Sequence, residues 1–403
     1  MYSALRQLAD EGVSLWLDGL CRDVLADGVL SRLVEEAGLG GATSNPRTLA
    51  RSAALRERLT ALAGRPGGSA AGAVRELTRQ DARAACEVLL PLYGRSDGFR
   101  GLVSVDVDVD ADTDADADRD AEAYADARPA ARAREALVAA ARELHRGVGL
   151  PNVLVKLPAT GPGLGAVADC LAEGIGVHVT AVRSIPHYGL VVDAYFAGLE
   201  RARAAGRELS GISSLAALPV GPLDRAVDRR LDRLGVPRSA GLHGAAGTAV
   251  ARLAYHHYEQ RLDGPRWCAL VEAGARPQRL LWESGAPGPG RLEGLVAWGT
   301  VTSAPQEVLD TACRGFRPQG DTITGEHRSA AEVVDRLAGL GIHHVAELEL
   351  LADRSLAELA DSWAELRALA AGSPRASALP QAAPPRAAGA SAVCGRRAAG
   401  AAS

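Results

Sequence analysis

The sequence contains one lysine, Lys156, among 403 residues and 45 basic side chains. Every other basic residue is therefore arginine. Arginine supplies surface charge as lysine does, but it stays protonated and cannot act as a nucleophilic amine. A chain that uses arginine everywhere else points to a chemical use for the Lys156 amine, although chance retention at the end of a strand would leave the same pattern.

Long hydrophobic runs are also missing. No apolar segment approaches the roughly 18 residues that a membrane-spanning helix needs, and residues 1–18 lack the basic and then apolar pattern of a secretion signal. The net charge of −4, from 45 basic and 49 acidic residues, excludes a generally basic nucleic-acid binder. We therefore expect a cytoplasmic protein without nucleic-acid or membrane partners.

Paired cysteines and the common metal and phosphate motifs are absent. No C-x-x-C, H-E-x-x-H or G-x-x-x-x-G-K-[ST] pattern occurs, and the cysteines are far apart. This spacing indicates free thiols in a reducing cytosol and excludes a disulfide framework or a zinc site. The six cysteines are Cys21, Cys86, Cys170, Cys268, Cys313 and Cys394.

Short β-type runs alternate with helical periodicity over residues 1–371. The runs lack clean alternation of apolar and polar residues, as parallel strands covered on both faces do. About eight strand–helix units in one domain favour an α/β fold, a single (β/α)₈ TIM barrel, with a doubly wound sheet as the second candidate. The predicted strands are Val13–Leu17, Gly41–Thr43, Leu102–Val107, Asn152–Leu157, Ile175–Thr180, Gly211–Leu218, Gln278–Trp282 and Leu295–Trp298.

Two segments fall outside this pattern. Aspartate occupies every second position from Asp106 to Asp120. A calcium-binding loop would need glycine and glutamate at its sixth and twelfth positions, where this run has Ala111 and Ala117. We therefore predict a solvated acidic insertion at about 108–128. Residues 372–403, rich in alanine, proline and arginine, are predicted to form a disordered tail.

Lys156 lies near the carboxyl end of the apolar run Asn152–Leu157, which in a parallel barrel is the active-site face. An apolar pocket would lower the lysine pKa and free the amine to attack a carbonyl, forming a Schiff base. Further polar residues stand at the ends of other predicted strands. Each of them alone could be a turn or a helix cap, but barrel sites are built from several strand ends. These residues are Asp18, Asn45, Asp106 and Thr180.

A competing motif follows the lysine strand. Residues 161–166 read Gly-Pro-Gly-Leu-Gly-Ala, close to the dinucleotide fingerprint G-x-G-x-x-A. The acidic ribose ligand expected about 20 residues later is missing, since the next strand ends in Thr180-Ala-Val-Arg183. The sequence therefore disfavours a nicotinamide enzyme without excluding it.

Taken together, several segments resemble transaldolase in its longer bacterial form. They follow one another in the family's order and span most of residues 1–370, whereas the acidic insertion and the tail lie outside the resemblance. The matching segments are Ser14–Asp18, Gly41–Pro46, Val153–Thr160, Gly174–Thr180, Gly264–Trp267, Ala275–Gln278 and Gly320–Gly325.

The resemblance implies a class I aldolase barrel of the pentose phosphate pathway, without metal or cofactor. Such a transferase moves a dihydroxyacetone unit from sedoheptulose 7-phosphate or fructose 6-phosphate to an aldose phosphate. Carried over by motif, Lys156 is the Schiff-base nucleophile and Asp18 moves the proton during C–C cleavage. Asn45 holds the dihydroxyacetone unit and Thr180 positions the catalytic water. Asp106 stands where the family has a glutamate acting through that water.

The phosphate end departs from the family pattern. His178 stands where the family has asparagine, and Ala217 and Pro222 replace a serine and a phosphate-binding arginine. The segment that reads S-T-G-V-K in the family begins here at Ser284, follows Glu283 and has lost its basic residue. Ser284 is expected to keep a substrate contact, and Arg183 is a candidate replacement cation.

Three functions stay open at this point. The first is transaldolase itself, acting on sugar phosphates. The second is a diverged Schiff-base aldolase or transferase whose carbonyl substrate lacks phosphate. The third is a non-catalytic paralogue with a weakened site. The sequence also leaves open whether the chain forms a homodimer.

Overall fold

The computed structural model describes residues 3–52, 55–65, 68–108, 127–285, 292–313, 315, 317 and 319–372. The predicted acidic insertion at about 108–128 and the predicted tail at 372–403 lie almost entirely outside these residues, so both stay predictions. Five of the six cysteines are described and none of the five forms a disulfide. Within the same ranges, no helix combines the length and apolarity that crossing a bilayer requires.

The described strands form a closed barrel of eight parallel strands in chain order. Each strand pairs with the next, and the last pairs with the first through the register Ser14 to Val301. The predicted TIM barrel is therefore confirmed, and the doubly wound alternative, an open sheet with two edges, is wrong. The strands are β1 (Ser14–Leu20), β2 (Gly41–Ser44), β3 (Leu102–Asp106), β4 (Val153–Pro158), β5 (Val177–Thr180), β6 (Ser214–Leu218), β7 (Arg279–Glu283) and β8 (Val301–Pro305).

Helices connect the strands and cover the barrel from outside. A single turn of 3₁₀-helix, Arg238–Ala240, adds to them. The helices are α1 (Ser3–Asp10), α2 (Arg22–Ala26), α3 (Val29–Ala37), α4 (Pro46–Ala50), α5 (Leu55–Ala63), α6 (Ala70–Arg95), α7 (Ala127–Val148), α8 (Gly161–Ala172), α9 (Ile185–Ala204), α10 (Val220–Arg233), α11 (Ala246–Leu262), α12 (Pro265–Glu272), α13 (Gln306–Ala312), α14 (His327–Gly339) and α15 (His344–Ala370).

The predicted strand Leu295–Trp298 is wrong, because the eighth strand begins only at Val301. The apolar run that suggested a strand is a loop in which Leu295, Val296 and Ala297 are buried and Trp298 is exposed. Its backbone is held by Thr322 instead of by a sheet. The amide of Val296 donates to the Thr322 hydroxyl at 3.1 Å, and the Thr322 amide donates to the Val296 carbonyl at 2.9 Å. A turn at Gly299, with φ of +77°, then directs the chain into β8.

Below the level of the lysine, the barrel interior contains a cluster of apolar side chains. Its members are Trp16, Leu102, Leu154, Leu215, Ala217, Leu281 and Val301. Gly41 makes room for the largest of them, since a Cβ there would lie 2.3 Å from Trp16 Cε2. Side chains two residues apart on a strand share a face. The inward positions above Trp16, Leu154 and Leu281 are therefore Asp18, Lys156 and Glu283.

The last helix closes the structure at the carboxyl ends of the strands. Helix α15 packs on α4, α5, α6 and α10. Its Trp363 and Leu366 share a second apolar cluster with Leu55 and Leu59 of α5. An ion pair of 2.5 Å between Arg47 of α4 and Glu358 also ties the helix to the first strands. The C-terminal helix thereby becomes one wall of the cavity described next.

Candidate active site

A cavity of about 680 Å³ opens at the carboxyl ends of the barrel strands. Its lining includes five of the six residues that the sequence singled out: Asp18, Asn45, Asp106, Lys156 and Thr180. They come from β1, the start of α4, β3, β4 and β5. The structure therefore brings together side chains that are up to 162 positions apart (180 minus 18), at the face where TIM barrels carry their sites.

Lys156 is held by the two strands on one side of it. Its Nζ donates to the Ser44 carbonyl at 2.6 Å and to Asp106 Oδ2 at 3.1 Å. Asp106 stands directly beside Lys156 in the register of β3 and β4. Both side chains are about nine-tenths buried. The amine therefore lies inside the cavity with a carboxyl group directly beside it.

Ser44 is a site residue that sequence reasoning missed. Its hydroxyl donates to Asp106 Oδ2 at 2.6 Å and accepts from the Asp106 amide at 2.9 Å, while its carbonyl accepts from the lysine. Three bonds thus pass through one serine and fix the lysine–carboxylate pair. The sequence signal for Ser44 is its position in the motif Thr43-Ser44-Asn45, directly before the asparagine that was singled out.

Asp18 and Asn45 form a second contact within the cavity. Burial raises the pKa of Asp18, and the nearby Asp106 raises it further, while Lys156 and a hydrogen bond from Asn45 oppose the shift. The Asn45 side chain also caps α4 by accepting from the Arg47 amide at 3.1 Å. One asparagine therefore both begins a helix and contacts the acid that faces the lysine.

Thr180 ends β5 beside Pro158 of the lysine strand. The next residue, Ala181, has a φ of +58°, in the left-handed region that residues with a side chain rarely adopt. Backbone strain of this kind, costing about 1–3 kcal/mol, persists where the surrounding structure enforces it and is common at functional sites. It turns the chain out of β5 while Thr180, Ala181 and Val182 all line the cavity.

His178 is neutral in this environment. Burial lowers its pKa well below the usual value, and the nearby Lys156 lowers it further. Its Nδ1 lies 2.7 Å from the Ser104 hydroxyl. If Ser104 donates that bond, Nε2 carries the remaining proton, and no described residue pairs with this atom. His178 lines the cavity and so offers one hydrogen-bonding nitrogen where the family has asparagine.

Glu283 is a third carboxyl group in the cavity, at the end of β7. Burial raises its pKa to about 7, with the charges of Asp18 and Asp106 adding to the shift and Lys156 opposing it. In the sequence, Glu283 stands out only as the acidic residue before the altered phosphate segment. The structure places it among the acids around the lysine.

Two phosphate-end predictions have a different outcome. Ser284 is buried and its hydroxyl donates to the Ser303 carbonyl at 2.9 Å, and it is not among the described residues that line the cavity. Arg183 also lies outside that lining, and its guanidinium is in an ion pair of 2.6 Å with Asp353 of α15. Ala217 and Pro222, which replace the family's serine and arginine, do line it.

The glycine-rich segment at 161–166 has a structural explanation. It forms the first turns of α8, which begins when Thr160 caps the Gly163 amide at 3.1 Å. A Cβ on Gly163 would lie 1.9 Å from the Pro158 carbonyl oxygen. Glycine at this position is therefore required for the close packing of the helix on the lysine strand, and the resemblance to a nucleotide fingerprint needs no nucleotide.

Comparison with known proteins agrees with this geometry. The profile of the family described as Transaldolase/Fructose-6-phosphate aldolase matches residues 15–369. The chain belongs to the transaldolase family. A transaldolase of Thermobifida fusca (strain YX) is 39% identical over 376 residues, covering 91% of this chain and 97% of that protein. A transaldolase of Acidothermus cellulolyticus is 38% identical over 378 residues, covering 91% of this chain and 96% of that protein.

A third relative, Transaldolase 1 of Streptomyces coelicolor, is 38% identical over 375 residues. The aligned region covers 91% of this chain and 93% of that protein. The similarity to these transaldolases therefore extends over nearly the full length of this chain and of each relative. The chain is a transferase of this family. The resemblance drawn from the sequence motifs is confirmed.

Proposed function

We propose that the chain transfers a dihydroxyacetone unit from a ketose phosphate to an aldose phosphate through a Schiff base on Lys156. The observation that carries this proposal is the placement of the only lysine, with its Nζ 3.1 Å from Asp106 and inside a cavity that also contains Asp18, Asn45 and Thr180. Sugar phosphates are the substrates that membership of the family implies.

The first half-reaction uses Lys156, Asp106 and Asp18. The neutral amine adds to the ketose carbonyl, and loss of water gives an iminium, with Asp106 and a water held by Thr180 moving the protons. Asp18 as carboxylate then takes the proton of the C4 hydroxyl while the C3–C4 bond breaks. The electron pair of the C3–C4 bond moves toward the iminium nitrogen and converts the iminium to an enamine, and the aldose phosphate leaves.

The second half-reaction reverses these steps with another aldose phosphate. The enamine carbon attacks the aldehyde, and Asp18 returns its proton to the new hydroxyl. Water then hydrolyses the iminium, which releases the product ketose and the free amine. The raised pKa of Asp18 suits this cycle, because the same group must accept and donate a proton. Asn45, bonded to Asp18, is assigned to holding the substrate. Ser284 could share this role only if its buried hydroxyl left the Ser303 carbonyl.

The remaining expectations belong to this proposal as well. We place the reaction in the cytoplasm and in the pentose phosphate pathway, without metal, cofactor, nucleic acid or membrane. The barrel of residues 1–371 is the working unit, and a homodimer is one arrangement it can take. Of the two alternatives from the sequence, a phosphate-free substrate and a non-catalytic paralogue, neither is favoured by a described contact.

Trapping the Schiff base tests the proposal. The enzyme is incubated with fructose 6-phosphate, reduced with borohydride, and analysed by intact and peptide mass. A phosphate-free three-carbon adduct on Lys156 is expected. The assignment is clean because only the N-terminal amine competes with this single lysine.

Lys156→Arg is the matched control, since it keeps the positive charge but cannot form the imine. It should show neither adduct nor turnover. An adduct with dihydroxyacetone but none with fructose 6-phosphate would favour the phosphate-free alternative. No adduct with either compound would favour the non-catalytic one.

A further inference from the structure

The cavity has opposite charge at its two ends. Its floor contains the carboxyl groups of Asp18, Asp106 and Glu283 around the lysine. Toward the mouth the described lining contains arginines from three helices. Of these, Arg47 is paired with Glu358 at 2.5 Å. The arginines are Arg47 and Arg51 at α4, Arg225 and Arg229 on α10, and Arg354 on α15.

The side chain of Arg225 lies close to Pro222, the position at which the family has a phosphate-binding arginine. Arg225 is three residues after Pro222 on α10, so both lie on one face of the helix. Helical side chains lean toward the helix N-terminus. The Nη1 of Arg225 donates to the Gly285 carbonyl at 2.8 Å, which anchors the guanidinium at the loop that follows β7.

The guanidinium lies where the two altered segments meet. A Cβ built on Gly285 would be 3.3 Å from both Nη atoms of Arg225 and 3.4 Å from Pro222 Cδ. Pro222 stands at the family's phosphate-binding arginine, and Gly285 follows Ser284 in the segment that has lost its basic residue. One arginine therefore occupies the junction of both positions, and all three residues line the cavity.

We propose that Arg225 binds the phosphate group of the substrate, with Arg229 and Arg354 adding positive charge at the mouth. The inference rests on the proposed function, because it needs a substrate that is both a carbonyl compound and a phosphate ester. A guanidinium matches phosphate geometry and forms charge-assisted, bidentate hydrogen bonds. The carbonyl end of such a substrate would then lie toward Lys156.

The test uses glucitol 6-phosphate, which has no carbonyl and cannot form a Schiff base. Its affinity is measured by calorimetry for the wild type, Arg225→Gln and Arg233→Gln. Arg233 is on the same helix, is exposed and is not part of the described cavity lining. Loss of a charge-assisted bond predicts about a 10-fold to 100-fold weaker affinity for Arg225→Gln, and no change for the control.

Kinetics separate this inference from the proposed function. The KM for fructose 6-phosphate should rise in Arg225→Gln by a similar factor, while the dihydroxyacetone adduct on Lys156 still forms. Equal affinities of Arg225→Gln and Arg233→Gln for glucitol 6-phosphate would overturn the phosphate site even if the adduct forms. Absence of the adduct in the wild type would instead overturn the proposed function.

A measurement on the unaltered enzyme covers the case in which Arg225→Gln does not fold. The wild type is treated with phenylglyoxal, with and without glucitol 6-phosphate, and arginine modification is read by peptide mass. Protection of Arg225 but not of Arg233 is expected. Equal modification of Arg225 with and without the ligand would contradict the site.

Discussion

At the scale of single residues, one serine and three carboxyl groups surround the lysine and set its hydrogen bonds and its electrostatic environment. Ser44 contacts both Lys156 and Asp106, and Glu283 and Asp18 face them across the cavity. The sequence identified Lys156, Asp18 and Asp106 because each follows an apolar run. It gave Ser44 and Glu283 no role beside them, since their contacts are made across neighbouring strands.

Removing the Ser44 hydroxyl should loosen the carboxylate beside the lysine. Ser44→Ala loses the 2.6 Å bond to Asp106 and the bond from the Asp106 amide. Hydrogen bonds to charged groups contribute about 1.5–3 kcal/mol, so we expect kcat to fall about 10-fold or more with KM within about twofold. Steady-state kinetics with fructose 6-phosphate and erythrose 4-phosphate measure this. Ser210→Ala, at a partly exposed serine outside the described cavity lining, is the control. An unchanged kcat in Ser44→Ala would contradict the positioning role.

Glu283 should make stability depend on pH. Its folded pKa of about 7 is above the unfolded value of 4.5, so the folded state binds more protons between these values and stability falls as pH rises from about 4.5 to 7. Glu283→Gln removes this dependence. Relative to the wild type, its free energy of unfolding should therefore increase by on the order of 2 kcal/mol at pH 8.

Urea denaturation of both proteins at pH 5, 6, 7 and 8 checks the prediction. The difference between them should grow across that range. The charge of Asp18 contributes to the raised pKa of Glu283, so the repulsion between these two groups is part of the difference that is measured. Two parallel profiles would show that Glu283 ionises as an exposed glutamate does.

At the scale of elements, close backbone packing joins α8 to the end of the lysine strand. Gly163→Ala would place a Cβ 1.9 Å from the Pro158 carbonyl oxygen, a backbone atom that cannot move alone. Overpacking of this kind costs about 1–3 kcal/mol, so the variant should be destabilised by that amount and should displace the strand that carries Lys156.

Gly161→Ala is the matched control. Gly161 lies in the same first turn of α8, and a Cβ there meets no atom within 4 Å. Thermal unfolding of the two variants should differ clearly, with Gly161→Ala close to the wild type. Equal melting temperatures would mean that the helix can shift away from the strand without cost.

Two elements differ from the sequence prediction for physical reasons that act locally. Residues Val24–Ala37 have helical periodicity in the sequence, but the structure divides them between α2 and α3, because Gly28 adopts a φ of +64° between the two helices. The predicted strand Leu295–Trp298 is a loop whose first three residues are buried. Apolar content alone does not distinguish a strand from a loop that packs on the core.

At the scale of the whole molecule, α15 joins the C-terminus to both halves of the barrel. It contacts α4 and α5 from the first half and α10 from the second, and it lines the cavity. Its Glu347 is buried and pairs with Arg230 of α10 at 2.5 Å, whereas Glu358 and its partner Arg47 are half-exposed. The first ion pair should therefore stabilise the closed structure more than the second.

We expect Glu347→Gln to lower the free energy of unfolding by about 1–3 kcal/mol, because it leaves a buried polar group with a weakened partner. Glu358→Gln should change it by less than about 1 kcal/mol, as exposed ion pairs do. Urea denaturation of the two variants measures both effects. Similar values would mean that burial of Glu347 does not strengthen its ion pair.

The sequence by itself favoured the barrel, located seven of its eight strands and identified five side chains at their carboxyl ends. Those features are written in local patterns: apolar runs, helical periodicity and polar residues directly after strands. It also carried the family, since the lysine strand and the Thr43–Pro46 motif lie in contiguous segments.

Only the tertiary structure decided how these groups act on one another. Three features depend on atoms that are far apart in the chain. They are the pKa of Glu283, the hydrogen bonds of Ser44, and the hydrogen bond from Arg225 to the Gly285 carbonyl. Burial and charge–charge distance are set when the barrel closes, and no local pattern encodes them. For the same reason, the sequence showed only that two phosphate-binding cations of the family are missing. The fold places the guanidinium of Arg225 beside both of these positions.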